Sequence, residues 1–164
     1  MAGTSQAPTA GYAINGRGYP DISVAGASYL VAIGGNFYSL YGTSASCPVF
    51  AGMISLINAG RLQAGKSSVG FINQVLYNSY SSFAKDVTSG KNNCAVGSSG
   101  ASCCAQGFYA TSGWDPATGL GSPDYASLKS LFLSTTADTS SPSMSPTVGP
   151  STLRPTSSSK HFIA

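Results

Sequence analysis

The chain has 164 residues with a formal net charge of +3; 42% of the residues are hydrophobic and only 8% are charged. The eight basic residues form no patch that would favour nucleic acid, and no apolar run is long enough to cross a membrane. All five acidic residues are Asp, and the only histidine is His161. A catalytic scheme that needs a Glu therefore cannot be completed by these residues alone.

The first predicted elements are two strands and a long helix. Residues 1–10 are expected to form a flexible lead, and residues 29–33 and 37–41 two strands joined by the turn-forming sequence Gly-Gly-Asn. The helix is predicted from Ser44 to Asn58, with Pro48 tolerated in its first turn. Apolar residues surround this helix, which is typical of a central, buried position.

Two shorter helices are predicted further along the chain, over residues 71–77 and 125–133. Residues 84–123 between them are expected to be mostly loop. Residues 135–164 are rich in Ser, Thr and Pro and have too little apolar surface to offset the entropy of ordering, which predicts a disordered tail.

Three of the four cysteines lie in one Gly/Ser/Asn-rich loop, which favours a local disulfide and an oxidising compartment. Cys94 is expected to pair with Cys103 or Cys104, because adjacent cysteines seldom bond to each other. Cys47, at the start of the long helix, is expected to be a buried thiol. The cysteines lack the spacing of zinc ligands.

Ser44 precedes the apolar run of the long helix and allows two interpretations. The Ser/Thr cluster of residues 43–46 is a common type of helix cap. Alternatively, Ser44 is a nucleophile, because the unsatisfied N–H groups at a helix start favour negative charge nearby and the small Gly42 and Ala45 let a substrate approach closely.

Four stretches resemble the sedolisin family of serine-carboxyl peptidases: residues 16–21 (GRGYPD), 42–48 (GTSASCP), 86–90 (DVTSG) and 113–121 (GWDPATGLG). They occur in the order that the family shows, together with SLIN at the end of the long helix and the segment GFINQVLY. The resemblance covers about residues 11–134 and is closest to the tripeptidyl-peptidase branch.

The resemblance implies an α/β fold of the subtilisin-like type, with three layers and a mostly parallel sheet, of which residues 11–134 form the C-terminal portion. It implies that Ser44 is the nucleophile of a peptidase whose general base is a Glu, oriented by an Asp, and whose oxyanion hole contains a further Asp. A carboxylate acts as a base at acidic pH, where an imidazole is protonated. In the family these acids lie N-terminal to the matching region, and Asp21 belongs to the GRGYPD element, whose Asp is structural. This chain alone is therefore expected to be inactive.

The resemblance also implies one structural Ca²⁺ ion as a cofactor. Its ligands would be the carboxylates of Asp86 and Asp115 and the backbone carbonyls of Val87, Thr111 and Gly113, completed by water, since Ca²⁺ takes six to eight oxygens. The position of Thr111 is usually Gly in the family. Taken without the resemblance, both Asp residues are ordinary turn residues.

The function implied is acid serine-type proteolysis of a peptide or protein substrate, together with a missing N-terminal part of the same polypeptide. The alternative is a non-catalytic, truncated or degenerate calcium-binding remnant of the same fold. A true subtilisin relative is disfavoured by GRGYPD and GWDPATGLG. The expected location is secreted or lysosomal/vacuolar, with the signal peptide outside these residues.

Overall fold

The structure, a computed structural model, describes residues 7–97 and 100–135. Its elements in chain order are β1 (Tyr29–Ile33), β2 (Asn36–Leu40), α1 (Thr43–Gln63), α2 (Asn73–Phe83), β3 (Ala84–Lys85), β4 (Cys94–Gly97), β5 (Gly100–Cys103), β6 (Ser122–Pro123) and α3 (Tyr125–Ser134). The tail predicted beyond residue 135, and residues 1–6 of the predicted lead, lie outside the described residues. All five predicted helices and strands are present.

Strands β1 and β2 form an antiparallel hairpin in which Tyr29 pairs with Leu40 and Ile33 with Asn36. Gly34 and Gly35 have φ values of 57° and 82°. Two successive positive φ angles are what a tight turn between antiparallel strands requires, and glycine adopts them without steric cost. The hairpin predicted from the Gly-Gly-Asn sequence is therefore confirmed.

The pairings β1–β2, β3–β6 and β4–β5 are all antiparallel, and each sheet has two strands. The mostly parallel sheet that the resemblance implies is therefore not formed by the described residues. Neighbouring parallel strands need a crossover connection of a dozen or more residues, whereas only two residues of the sequence separate β1 from β2 and β4 from β5. The structure is a mixed helix-and-strand piece consistent with part of an α/β domain.

The core lies between the three helices and Leu120, which is near the end of the loop that connects β5 to β6. Helix α3 contacts both α1 and α2. Helix α2 supplies two buried side chains about two turns apart, and α3 supplies two that are four residues apart on one face. The core cluster consists of Ile57, Val69, Leu76, Phe83, Leu120, Leu128 and Phe132.

Helix α1 is not buried all round, so the expectation of a central, covered helix is wrong for the described residues. Only Ile57 and Arg61 of α1 are buried, while Leu56 and Leu62 expose 60% and 63% of their surface. The reason is geometric: α1 packs against α3, whereas Leu56 and Leu62 lie on parts of α1 that remain uncovered in the described chain. No helix within residues 7–97 and 100–135 is long and apolar enough to cross a bilayer.

A fully buried arginine connects the ends of α1 and α3. Arg61 donates from Nε to the carbonyl of Ser67 (2.7 Å) and from Nη1 to the carbonyls of Phe132 and Thr135. Lys66 donates to the carbonyl of Leu133. Cations at a helix C-terminus stabilise its unpaired carbonyls, so these side chains hold the end of α3 against α1.

The start of α3 gives a prediction about pH. The backbone N–H of Ser127, and then its side chain, hold the pKa of the N-cap residue Asp124 below its ordinary value. This lowered pKa contributes stability that is complete above the ordinary pKa of about 4 and is lost as the pH falls through the folded-state pKa. In the complete gene product, urea unfolding of Asp124→Asn should therefore depend less on acidic pH than that of the wild type. Equal pH dependence of the two proteins would contradict this prediction.

Candidate active site and metal site

Helix α1 begins at a glycine rather than at a hydroxyl side chain. Gly42 is the N-cap, with φ 121°, and no side chain makes a capping hydrogen bond. The Gly42 carbonyl accepts from the N–H groups of Ala45 (3.0 Å) and Ser46 (3.4 Å). An L-residue with a side chain is strained at this φ, so the chain turns into the helix here by means of glycine. The capping interpretation of residues 43–46 is therefore wrong.

Ser44 lies in the exposed first turn of α1, and its hydroxyl makes no hydrogen bond to another described residue. Nearby contacts fix the backbone instead: Ser46 Oγ donates to the Ala25 carbonyl (3.0 Å), and the Gly42 N–H donates to the Gly26 carbonyl (2.6 Å). The segment before β1 therefore holds the helix start in position while the Ser44 hydroxyl remains accessible.

No described acidic side chain hydrogen-bonds to Ser44. Asp21 accepts at Oδ1 from Arg17 (2.9 Å) and Tyr77 (2.8 Å), and at Oδ2 from Asn73 (2.9 Å). Partial burial, together with the Asp21 carboxylate, raises the pKa of Tyr77. All these contacts connect the loop before β1 to α2, which supports a structural role for Asp21.

Two of the sequence motifs pack directly against each other. A Cβ on Gly18 of GRGYPD would lie 2.1 Å from the Trp114 ring, and Trp114 Nε1 donates to the Pro20 carbonyl (2.9 Å). The Leu120 N–H donates to the Asp21 carbonyl (2.9 Å). Residues 16–21 and 113–121 therefore form one interlocked unit, in which the Trp114 ring packs against Gly18.

Asp115 is almost fully buried, and its carboxylate organises the loop around it. Oδ1 accepts from the N–H groups of Ala117 (2.9 Å) and Thr118 (2.8 Å), and Oδ2 accepts from the Thr111 N–H and the Thr118 hydroxyl (both 3.0 Å). Four donors match the approximate acceptor capacity of a carboxylate. To bind a cation as well, Asp115 would have to share an oxygen that already accepts hydrogen bonds.

Asp86 is bonded on one side only. Its Oδ2 accepts from the Gly113 N–H (2.8 Å), whereas its Oδ1 is buried without a partner, and Thr111 Oγ1 is likewise buried and unpaired. Unpaired buried oxygens are suitable ligands for a hard cation. Ca²⁺ would therefore fit at Asp86 Oδ1 and Thr111 Oγ1. No group of three or more His, Cys or Asp residues that could hold a metal occurs in the described ranges, so any such site would depend on carbonyls.

The loop beside this site is closed by a disulfide between Cys94 and Cys103, which face each other across β4 and β5. The predicted local disulfide is confirmed, and Cys103 is the partner of Cys94. Cys104 is a free, exposed thiol. Cys47 is also free and exposed, so the expectation of a buried thiol is wrong, because no described element covers that side of the first turn of α1.

The role of Thr118 and the unpaired hydroxyl of Thr111 are not among the features predicted from the sequence. The spacing Asp-Pro-Ala-Thr does carry a signal for Thr118, since Asp commonly accepts from N–H groups two and three residues later in turns. The burial of the Thr111 hydroxyl has no such local signal, because it depends on loops that are distant in sequence.

Comparison with known proteins finds relatives that are 38–47% identical to this chain. The chain is 44% identical over 120 residues to tripeptidyl-peptidase SED1 of Arthroderma otae, a match that covers 73% of this chain and 17% of the relative. It is 47% identical over 118 residues to aorsin of Aspergillus oryzae (72% and 17%) and 38% identical over 131 residues to physarolisin of Physarum polycephalum (77% and 22%). No protein-family model matches the chain.

The first of these relatives is named as a tripeptidyl-peptidase. The chain belongs to the sedolisin family, and the resemblance carried by its four motifs is confirmed. The chain spans about one fifth of the length of these relatives.

Proposed function

We propose that this chain is the nucleophile-bearing part of an acid serine-carboxyl peptidase of the tripeptidyl-peptidase type. The observation that carries the proposal is Ser44 in the first turn of α1, exposed and without a hydrogen-bond partner among the described residues, inside a region 38–47% identical to tripeptidyl-peptidase SED1, aorsin and physarolisin. The N–H groups at the helix start, which no side chain caps, favour the negative charge that forms when a serine attacks a carbonyl carbon.

Ser44 needs a base, but the chain has no Glu, and among the described residues Asp21 is engaged by three other side chains. We propose that the Glu/Asp pair and the oxyanion Asp come from a missing N-terminal part of the same polypeptide. The exposed apolar side of α1 and the exposed hairpin β1–β2 are the surfaces that such a part would cover. We place the protein in a secreted or lysosomal/vacuolar compartment, which suits the disulfide.

The test is a peptidase assay of the complete gene product between about pH 3 and pH 7, the range in which carboxylates and imidazoles change charge. Peptides with a free N-terminus are the substrates, and N-acetylated copies of the same peptides are the controls. Release of tripeptides from the free peptides alone, fastest at acidic pH, is the expected result. Absence of cleavage at every pH would contradict the proposal.

The alternative function is a non-catalytic, truncated or degenerate calcium-binding remnant of the same fold. The observation that favours it is that all four described Asp residues accept hydrogen bonds elsewhere, namely Asp21, Asp86, Asp115 and Asp124. A complete gene product that binds calcium but does not cleave peptides would favour the remnant.

We also propose that the protein binds one Ca²⁺ ion through Asp86, Val87, Thr111, Gly113 and Asp115. The unpaired Asp86 Oδ1 supports this assignment. When bound, the ion would neutralise the two carboxylates and connect the loop after β3 to the loop before β6, which are already joined by the bond from Gly113 to Asp86.

Replacement of Asp86 by Asn tests the calcium proposal. Calcium at about one hundred times its dissociation constant should raise the free energy of unfolding of the complete gene product by about 2.7 kcal/mol. Asp86→Asn keeps an acceptor for the Gly113 N–H but removes the negative charge, so it should lose most of this increment. Thermal unfolding with calcium and with a chelator measures it. Asp115→Asn is the comparison, since it should lower stability even without calcium by disturbing four hydrogen bonds.

A further inference from the structure

The loops around Asp86 contain most of the unsatisfied buried side-chain atoms of the described structure. Three such atoms occur in residues 7–97 and 100–135: Arg61 Nη2, Asp86 Oδ1 and Thr111 Oγ1. The first belongs to the contact between the ends of α1 and α3. The other two are both oxygens, and both lie in the pair of loops proposed to bind calcium. A buried hydroxyl without a hydrogen-bond partner lowers the free energy of unfolding. A ligand bound at Thr111 Oγ1 would offset this cost.

Two hydrogen bonds bring these oxygens into one region. The Gly113 N–H donates to Asp86 Oδ2 (2.8 Å), and the Thr111 N–H donates to Asp115 Oδ2 (3.0 Å). Thr111 and Gly113 therefore join the two carboxylates through a three-residue segment. Asp115 already accepts four hydrogen bonds, whereas Asp86 Oδ1 and Thr111 Oγ1 are unpaired.

We propose that the Thr111 hydroxyl oxygen is a direct ligand of the calcium ion, in addition to the Thr111 carbonyl. This inference rests on the proposed calcium site and assigns it a ligand that a glycine at this position cannot supply. Ca²⁺ accepts neutral oxygens in a flexible shell of six to eight. A hydroxyl held by the protein replaces a water molecule that would otherwise have to be ordered, so Thr111 tightens binding without adding charge.

The test compares Thr111→Val, which has nearly the same shape but no hydroxyl, with Thr111→Ser, which keeps the hydroxyl. Calcium affinity of the complete gene product is measured by titration calorimetry and by Tb³⁺ emission, for which Trp114, next to Asp115 in sequence, is a suitable sensitiser. Thr111→Val should weaken affinity on the order of tenfold, the lower end of what loss of a ligand-supporting group costs. Thr111→Ser should bind as the wild type does.

Equal affinity of Thr111→Val and the wild type would overturn the inference. A loss of stability in Thr111→Val that is the same with calcium and with a chelator would also overturn it, because it would assign the hydroxyl to a buried water instead. Asp86→Asn separates the two levels of the proposal. If Asp86→Asn loses calcium binding and Thr111→Val does not, only the role of the hydroxyl fails. If the wild type itself binds no calcium, the calcium site and the role of Thr111 fail together.

Discussion

Replacement of Ser44 by Ala should abolish peptide cleavage by the complete gene product, with a loss of at least about a thousandfold in kcat. The reason is that the Ser44 hydroxyl is exposed in the first turn of α1 and makes no hydrogen bond to another described residue, so its removal eliminates a reacting group and little structure. Tripeptide release at acidic pH is the activity measured. Thermal unfolding of the same variant should match that of the wild type.

The matched control for this experiment is Ser55→Ala, a second exposed serine of α1 about three turns further along. Ser55 Oγ donates to the Ala51 carbonyl within the helix, so its removal changes the same chemistry at a position remote from the helix start. Ser55→Ala should keep the wild-type rate. A Ser44→Ala protein with activity within about tenfold of the wild type would remove Ser44 from the chemical step, since loss of a nucleophile costs far more.

The local parts of the fold could be predicted from the sequence because they depend on neighbouring residues. The turn at Gly34 and Gly35 and the helix around Pro48 follow from backbone preferences that act within a few residues. The burial of α1 could not be predicted in the same way. The apolar residues around α1 predict cover on every side, whereas the described residues leave Leu56 and Leu62 exposed. The exposure of Cys47 has the same cause.

The candidate metal site, like the fold, could be predicted from the sequence only in part. Four of its five residues lie in the motifs DVTSG and GWDPATGLG, Thr111 lies two residues before the second motif, and the structure brings Asp86 and Gly113 into contact. The sequence does not indicate that Asp115 already accepts four hydrogen bonds or that Thr111 Oγ1 has none, because both facts depend on how loops distant in sequence meet. The N-cap of α1 is Gly42 and not a residue with a hydroxyl side chain, because the backbone has a φ of 121° at this position.

Residues 1–164 expressed alone should aggregate or lack a cooperative thermal transition. The hairpin β1–β2 has apolar side chains on both faces: Leu30 and Phe37 on one, 73% and 72% exposed, and Ile33 and Tyr38 on the other, 55% and 47% exposed. Strands with apolar residues on both faces are typical of sheets that are covered on both sides. A two-stranded hairpin is marginally stable by itself, and an exposed apolar edge pairs readily with other chains.

Light scattering and thermal unfolding of the purified chain measure this prediction. The double variant Leu30→Thr and Phe37→Thr keeps residues that favour strands while making one face polar, so it should raise the soluble fraction severalfold if the hairpin causes the association. Tyr19→Thr, which removes an aromatic side chain that is 90% exposed in the GRGYPD loop, is the control and should leave the soluble fraction unchanged. A soluble monomer that unfolds in one cooperative step would contradict the prediction, because it would mean that these faces need no further cover.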